Sequence, residues 1–265
     1  MKEPTIEVLI SCMYQTDTSI IEKSNIQTDA IVINQCDRNS INEFTFKNKR
    51  GELCNVRFIS TTERGLSKSR NMAIRNSSAD ICLICDDDEF LRDDYADIIK
   101  SAYLQNSKFD FIIFNMEDRF RTFPTKKYKI NFIKALKVAS WQISFKRESI
   151  IKRGICIDET MGAGITMGGG EENKFIVDCL KNKLLGVYIP DIIGKVSQES
   201  STWDLNNENC KQYFQDRGGA YKKIMGCFCG SAYILYSSLK KYRYYRAFLP
   251  LNKCIYLQFK GLINS

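Results

Sequence analysis

Short apolar segments alternate with amphipathic ones through the first half of the chain. The segments predicted as strands are Ile6–Cys12, Ala30–Asn34, Val56–Ser60, Ile81–Cys85 and Phe109–Asn115. Two segments have the apolar spacing of helices, Leu66–Asn76 and Asp94–Ser107. Strands that alternate with helices are typical of βαβ units. The pattern therefore predicts an α/β fold with a mostly parallel central sheet flanked by helices.

The second half has a less regular pattern. Trp141–Phe145 is predicted to be a strand, followed by a helix near Arg147–Arg153. Glu172–Lys181 is predicted to be a helix, and Gly186–Ile189 a strand that Pro190 ends, because proline cannot donate a ladder hydrogen bond.

One predicted strand ends abruptly in acids. Ile81–Cys85 is apolar throughout, and Asp86, Asp87, Asp88 and Glu89 follow it directly. Adjacent like charges repel and are costly to desolvate. Carboxylate oxygens suit Mg²⁺ or Mn²⁺, which proteins hold with one or two carboxylates plus substrate phosphates. The segment indicates a metal-diphosphate site at a strand end, or else a solvated acidic turn that begins the next helix.

The amino-acid composition limits which catalytic groups the protein can use. The 265 residues include no histidine, which excludes Ser-His and Cys-His nucleophile systems. Acid–base work falls mainly to carboxylates, lysine, tyrosine or cysteine. Eleven cysteines, an odd number and many within apolar runs, favour a reduced, cytoplasmic protein without a signal segment.

The net charge of +8 is unevenly distributed. Residues 217–265 hold nine Lys or Arg and no acid, after which the remainder is close to neutral. In this tail the apolar run Ile224–Leu239 precedes basic residues interleaved with tyrosines. That pattern favours helices on an anionic membrane surface, the alternative being a helix packed on the body. No module for binding nucleic acid is present, so no nucleic-acid partner is expected.

Three segments occur in a specific order along the chain. They are Gly65-Leu66-Ser67-Lys68-Ser69-Arg70-Asn71, then Asp86-Asp87-Asp88-Glu89, then Gly170-Glu171-Glu172. In order and spacing they resemble family 2 glycosyltransferases of the GT-A fold, over about residues 6–203. The resemblance implies a GT-A, Rossmann-like sheet and a DxD motif at the acidic strand end.

The resemblance also implies roles on the donor side. Asp88 would be the direct ligand of Mn²⁺ or Mg²⁺, and Asp86 would face the metal or the ribose. The other candidates for binding the UDP-sugar are Ser11, Gln35, Asp37, Lys68, Arg70 and Asp87. Lys68 is equally well explained as part of a surface helix face.

On the acceptor side the resemblance implies a catalytic base. Glu172 stands where the family has the Asp of its Glu-Asp pair, so Glu172 is the expected base and Glu171 the orienting acid. Both would otherwise be helix N-terminal acids stabilised by the dipole. Residues 162–170 hold five glycines without a P-loop ending and are expected to form a flexible acceptor-side loop. Trp141 and Trp203 would stack on sugars or belong to the core.

Two positions depart from the family pattern. Paired aspartates often follow the second strand, whereas this chain has Asn34-Gln35-Cys36-Asp37. Many relatives have a histidine near the metal after the strand close to Pro190, where this chain has Lys195-Val196-Ser197. The nucleotide and the strength of metal binding are thus open.

The function expected from these features is an inverting, metal-dependent glycosyltransferase. It would move a sugar from a UDP-sugar to a glycan or lipid-linked oligosaccharide of a bacterial surface polysaccharide, such as capsule or O-antigen, as a peripheral enzyme on the cytoplasmic face of the membrane. The predicted domains are a glycosyltransferase domain at 1–215, with a nucleotide-sugar half (1–100) and an acceptor half (101–215), and a tail at 216–265. The alternatives are a sugar-phosphate nucleotidyltransferase and a non-catalytic nucleotide-sugar-binding protein.

Overall fold

A ten-stranded mixed sheet forms the centre of the fold. The structure is a computed structural model and describes residues 3–118, 122–166, 168–196 and 209–265. The strands, numbered along the chain, are β1 (Ile6–Met13), β2 (Asp29–Gln35), β3 (Ser40–Lys47), β4 (Leu53–Thr61), β5 (Ile81–Asp86), β6 (Glu89–Leu91), β7 (Phe111–Glu117), β8 (Tyr128–Lys129), β9 (Ile143–Lys146) and β10 (Gly186–Val196).

The strand order places the acidic strand end near the middle of the sheet. The order is β3-β4-β2-β1-β5-β9-β7-β10-β6, and β8 pairs with β10. β1, β2, β4 and β5 run parallel, and β7 is parallel to β10. β9 is antiparallel to both β5 and β7, so β5 and β7 run in the same direction. The six strands other than β9 in these two groups therefore all point the same way. Their carboxyl ends therefore meet at one edge of the sheet.

Helices flank or follow the strands. They are α1 (Ile20–Lys23), α2 (Leu66–Asn76), α3 (Tyr95–Gln105), α4 (Phe132–Ala135), α5 (Arg147–Lys152), α6 (Glu171–Lys181), α7 (Cys210–Tyr245) and α8 (Leu251–Asn264). β1 and β5 are buried along almost their whole length, as strands covered on both faces are. The α/β architecture predicted from the apolar pattern is confirmed.

Four strands differ from the sequence prediction, since β3, β6 and β8 were not predicted and β10 is longer than predicted. β3 was not predicted, because Ser40–Lys47 alternates polar and apolar residues and lies at the exposed edge of the sheet. The prediction that Pro190 ends a strand was wrong, since β10 continues to Val196. The register between β10 and β7 shifts between Tyr188 and Ile192, so the missing N–H of Pro190 falls at an irregularity of the ladder.

The chain divides into two compact units. The first, here called the sheet unit, comprises Met1–Arg64, Lys68–Ile157 and Phe175–Gln198. The second, the helical unit, comprises Gly65–Ser67, Asp158–Lys174 and Glu199–Ser265. These bounds differ from the division at residues 100 and 215 drawn from the sequence.

The helical unit contains a tightly packed pair of helices. α7 is kinked at Gly226, whose φ of 78° is not helical. Gly218 of α7 faces the backbone of Gln258 in α8, where an added Cβ would lie 1.8 Å from the carbonyl oxygen. Gly261 of α8 faces the backbone of Gln215 at the same spacing. Glycine is required at both positions because the helix backbones approach so closely.

The basic tail is therefore helical and folded. α8 buries Cys254, Leu257, Gln258 and Leu262, while its other side chains are partly or fully exposed. Among the described residues, no helix has the length and apolar content needed to cross a membrane.

Candidate functional site

Three of the predicted donor-site residues lie at the carboxyl edge of the sheet. Ser11 lies two residues before the end of β1, Gln35 ends β2, and Asp86 ends β5. Ser11 is directly opposite Asp86 in the β1–β5 register, and Gln35 is opposite Met13. The Ser11 hydroxyl is buried and accepts a hydrogen bond from the Ser69 hydroxyl at 2.8 Å. The Ser11 side chain thus ties β1 to α2.

Asp86 is held by two side chains within the sheet unit. One terminal nitrogen of Arg70 donates to both carboxylate oxygens of Asp86, at 2.8 and 2.9 Å. Ser140 donates to Oδ2 at 3.0 Å. The Arg70 side chain is only 2% exposed, against 23% for Asp86. A buried charge-assisted pair fixes the Asp86 carboxylate at the edge of the sheet.

The remaining acids form a tight turn. Asp87 and Asp88 connect β5 to β6, and the Asp86 N–H donates to Glu89 Oε1 at 2.8 Å. Burial and the charge of Asp86 raise the pKa of Asp87 and of Asp88. Burial, and then Asp86, raise the pKa of Glu89 well above its usual range. The carboxyl groups at this turn disfavour each other's charged form, and a bound cation would relieve that repulsion.

The donor atoms at this turn fit a hard divalent cation that brings other ligands with it. Within the described ranges, no group of three or more acidic or cysteine side chains is arranged to hold a metal by itself. Two carboxylates, Asp86 and Asp88, with phosphate and water oxygens match the way that Mg²⁺ and Mn²⁺ are bound. A site of this kind is completed by its substrate.

A cluster that the sequence did not predict lies beyond the ends of β1 and β2. Arg64 donates to Asp37 at 2.6 Å and to the carbonyls of Cys36 and Thr61. The Arg64 guanidinium also lies 5.5 Å from the ring centroid of Tyr14, which is 57% exposed. Asp37, a predicted nucleotide ligand, is therefore already paired and its side chain is exposed.

Tyr14 carries a backbone signal that the sequence does not show. Its φ of 51° is in the left-handed region, which is uncommon for a tyrosine. Its N–H donates to the carbonyl of Gln35 at 3.1 Å. The exposed Tyr14 ring is thus held just beyond the carboxyl ends of β1 and β2.

Lys68 and Lys195, two candidates for binding the diphosphate, have different structural surroundings. Lys68 is partly buried on α2, as either of its two interpretations allows. Lys195 lies opposite Phe90 in the β10–β6 pair, with Nζ 4.9 Å from the ring centroid. Because Val196 is paired with Glu89, Lys195 lies next to the acidic turn in the strand ladder. Ser197 lies outside the described residues.

The glycine-rich segment packs against Glu171 in the helical unit. An added Cβ at Gly162, whose φ is 96°, would lie 2.9 Å from Ser67 Oγ and 3.2 Å from Glu171 Cδ. Ser67 Oγ donates to the Met161 carbonyl at 2.7 Å, and the Leu66 N–H to the Ala163 carbonyl. Glu171 is buried and Glu172 partly exposed, both in the first turn of α6. The first and third sequence motifs thus share one network.

Asn71 and Trp141 make contacts within the protein interior. Asn71 exchanges two hydrogen bonds with the backbone of Ile157, at 2.8 and 2.9 Å. Trp141 is buried and packs edge-on against Phe123, which supports its assignment to the core. Trp203 lies outside the described residues.

Fold and sequence together identify the class of this protein. The model of the glycosyl transferase family 2 matches residues 11–165, more than half of the chain. The chain belongs to glycosyltransferase family 2, has the GT-A fold and is a glycosyltransferase. No curated protein matches it at a significant level.

Solved glycosyltransferases share the fold at low identity. S. aureus TarS 1-349 in complex with UDP-GlcNAc is 12% identical, with a TM-score of 0.56, and the match covers 83% of this chain and 67% of that one. The complex of TarS 1-349 with UDP gives 10% and 0.57, covering 98% and 92%. The mannosyltransferase PcManGT from Pyrobaculum calidifontis, in complex with GDP-Man and Mn²⁺, gives 13% and 0.56, covering 98% and 86%.

Proposed function

We propose that this enzyme is an inverting, metal-dependent glycosyltransferase that takes its sugar from a UDP-sugar. The proposed acceptor is a lipid-linked glycan of a bacterial surface polysaccharide, at the cytoplasmic face of the membrane. The observation that carries the donor side is the buried Arg70–Asp86 pair at the carboxyl edge of the sheet, next to the acidic turn. Ligands of open α/β sheets bind at this edge.

Asp88 and Asp86 are the proposed holders of Mn²⁺ or Mg²⁺. When bound, the ion would neutralise charge on the diphosphate leaving group. Asp86 Oδ2 accepts from Arg70 and Ser140, whereas Oδ1 accepts from Arg70 and keeps a second lone pair for a cation. Arg70 thus fixes the direction of the Asp86 carboxylate, and Asp88 is the direct ligand.

The nucleotide is proposed to lie beyond the ends of β1 and β2. Tyr14 offers an exposed ring for stacking on the base, and Arg64 holds Asp37 beside it. Gln35 and Ser11 are proposed to line the bottom of the nucleotide site. Asp87, near the backbone of Met13, is proposed to lie beside it. Lys68 and Lys195 are proposed to add positive charge for the diphosphate. The nucleotide-sugar half proposed for residues 1–100 contains all of these groups except Lys195.

Transfer is proposed to proceed in one displacement. An acceptor hydroxyl oxygen attacks the anomeric carbon, the bond from that carbon to the phosphate oxygen breaks, and UDP leaves with the electron pair. The hydroxyl proton moves to the Glu172 carboxylate. Glu171, buried against Gly162 and near Ser67, is proposed to position the acceptor or Glu172.

A cavity of about 200 Å³ in the helical unit is a candidate place for acceptor sugars. Thr166 of the glycine-rich segment, Gln212, Asp216, Lys223 and Asn264 contribute to its lining. Amide, hydroxyl and charged side chains of this kind hydrogen-bond the hydroxyls of a sugar. The same segment leads into the α6 turn that carries Glu172, which supports an acceptor role for this region.

The basic tail at 216–265 is proposed to contact an anionic membrane. On α7 the exposed side chains of Phe228, Leu235 and Leu239 lie at helical spacing, ahead of Lys240 and Arg243. Apolar residues followed by basic ones are typical of helices that lie in a membrane interface. Because α8 packs on α7, point substitutions of Lys240 and Arg243 test this contact better than a deletion from residue 240 would.

The proposed function is tested by screening UDP-, GDP- and dTDP-sugars for turnover with Mn²⁺, with and without EDTA. We expect hydrolysis or transfer from a UDP-sugar that EDTA abolishes, and a product of inverted anomeric configuration by NMR. Release of pyrophosphate from a sugar phosphate and a nucleoside triphosphate would support a nucleotidyltransferase instead. Retained anomeric configuration would contradict the single displacement.

A further inference from the structure

A second stretch of the chain is as basic as the tail and free of acids. Between Asp118 and Glu148 there are nine Lys or Arg and no Asp or Glu. The tail has the same number in a longer segment. The positive charge of the chain is therefore concentrated in two places, and this one belongs to the sheet unit.

Six lysines, five from this stretch and one from the turn after α3, form what we call the lysine rim. They are Lys108, Lys126, Lys127, Lys129, Lys134 and Lys137. In the part of the chain that the structure describes, none of them is paired with a carboxylate. Three of them, Lys108, Lys127 and Lys129, line a groove of about 480 Å³. An anion would find several unneutralised ammonium groups there.

Aromatic contacts hold part of the rim in place. Tyr128 stacks on Tyr188 with ring centroids 4.7 Å apart, and the Tyr188 hydroxyl donates to the Pro124 carbonyl. Lys134 Nζ lies 4.4 Å from the Tyr128 ring centroid. Lys127 donates to the side chain of Asn106. The rim is thus partly preorganised rather than a set of unconstrained surface chains.

Two adjacent apolar side chains project beside the lysines. Phe132 and Ile133 of α4 are 53% and 71% exposed. They lie between Lys129 and Lys134 in the sequence. An exposed apolar pair amid lysines contributes nothing to binding a water-soluble polyanion, whereas it enters the acyl boundary of a bilayer.

The groove of the lysine rim lies at the amino-terminal edge of the sheet. The groove is bounded by residues 105–109, just before β7, and by Val187 at the start of β10. The Ile130 N–H donates to Gly186, the first residue of β10, and α4 follows. Asp86 is at the opposite, carboxyl edge. The groove is therefore separate from the donor site.

We propose that the lysine rim docks the sheet unit on an anionic lipid leaflet. Phe132 and Ile133 would enter the interface, and the groove lysines would contact the phosphates of the headgroups. Ammonium groups suit this because they act as point charges without fixed geometry. The inference deepens the proposed function, since it rests on a lipid-linked acceptor at a membrane, but vesicle binding tests it without any turnover.

The test uses the full chain with phosphatidylcholine vesicles, with or without phosphatidylglycerol, in a sedimentation assay. Lys127→Gln, Lys129→Gln and Lys134→Gln are combined in one variant, and Phe132→Ser with Ile133→Ser in another. We expect the lysine variant to lose affinity for anionic vesicles on the order of 100-fold. The apolar variant should lose the part of the binding that high salt leaves intact.

Matched controls exist on the sheet unit. Ile41→Ser with Leu53→Ser removes apolar side chains that are 67% and 68% exposed. Lys23→Gln with Lys47→Gln removes charges elsewhere. Circular dichroism melting checks that each variant is folded. Equal effects of rim and control variants, or equal binding to neutral and anionic vesicles, would overturn the proposal.

A soluble acidic polysaccharide, alginate, provides the competing outcome. If the lysine variant loses alginate binding while vesicle binding is unchanged, the groove holds an acidic glycan and the membrane assignment is wrong. Donor hydrolysis, measured in solution on the same variants, should be unaffected by the rim. Its absence in every variant and in the wild type would count against the proposed function alone.

Discussion

One terminal nitrogen of Arg70 donates hydrogen bonds to both carboxylate oxygens of Asp86, and this buried pair links α2 to the end of β5. Removing one partner of a buried pair leaves the other charge uncompensated. We expect Arg70→Ala to lower the free energy of unfolding by about 3–5 kcal/mol, measured by urea denaturation. Arg70→Lys should be milder but not neutral, because an ammonium lacks the planar geometry of a guanidinium. An unchanged midpoint for Arg70→Ala would contradict this account.

Asp88→Asn tests the metal site. The substitution removes a charge from the turn whose acids repel each other, so folding should be maintained. Mn²⁺-dependent binding of UDP, followed by calorimetry, should be lost, together with transfer. Asp97→Asn, an exposed acid of α3 paired with Arg50, is the control and should bind UDP normally. Full activity of Asp88→Asn, or activity in excess EDTA, would remove Asp88 as metal ligand.

Glu172→Gln tests the base. We expect UDP binding to be retained and the transfer rate to fall by roughly 10²–10⁴-fold, the usual contribution of a positioned base. Glu171→Gln is the paired variant, since Glu171 is buried and Glu172 is partly exposed in the same helical turn. An inactive Glu171→Gln beside an active Glu172→Gln would shift the assignment by one residue.

Gly218→Ala tests the close approach of α7 and α8. The added Cβ would overlap the Gln258 carbonyl oxygen, so the helices must separate. We expect a loss of about 1–3 kcal/mol in the free energy of unfolding by chemical denaturation. Gly219→Ala, one residue later, places its Cβ 3.2 Å from the Ser265 side chain and at an ordinary contact distance of 3.6 Å from the Gly261 carbonyl oxygen. It should be neutral or stabilising by up to about 1 kcal/mol, because alanine favours a helix. Equal losses in both variants would argue against this packing.

Thiol alkylation tests the burial of the cysteines. Burial raises the pKa of Cys12 and of Cys82 to about 12, so at pH 8 almost no thiolate is present at either position. Cys156, Cys227 and Cys229 are exposed. Brief treatment with iodoacetamide, read by peptide mass spectrometry, should label these three far faster than Cys12 and Cys82. Denaturant should make all eleven thiols available for labelling. Rapid labelling of Cys82 in the native protein would be inconsistent with its place in β5.

The apolar pattern predicted the strands that are buried on both faces, because such strands leave an unbroken apolar run. It missed β3, whose alternating residues serve a half-exposed edge. The motif order placed the acidic turn correctly at a strand end. The partners of Asp86 were not predictable, since Ser140 is 54 residues away in sequence. The same applies to Ser67 and Met161, which are 94 residues apart.

The basic stretch at residues 126–137 was not predicted as a separate feature, for a different reason. Counting by segment located the tail, but the lysines of residues 126–137 were averaged with acids elsewhere in the body. Only the fold shows that Lys127 and Lys129 share one groove with Lys108, and that Phe132 and Ile133 on the following helix are exposed.

The height of the sheet has a consequence for acceptor length. β7 has seven residues, which at about 3.3 Å per residue separate the two edges by roughly 20 Å. With the lysine rim on the leaflet and β7 perpendicular to it, the donor sugar near Asp86 would be held that far above the lipid phosphates. A hydroxyl on the first sugar of a lipid carrier then lies too low to react. The enzyme would select acceptors by length. It would extend chains that already carry several sugars and leave their initiation to a different transferase.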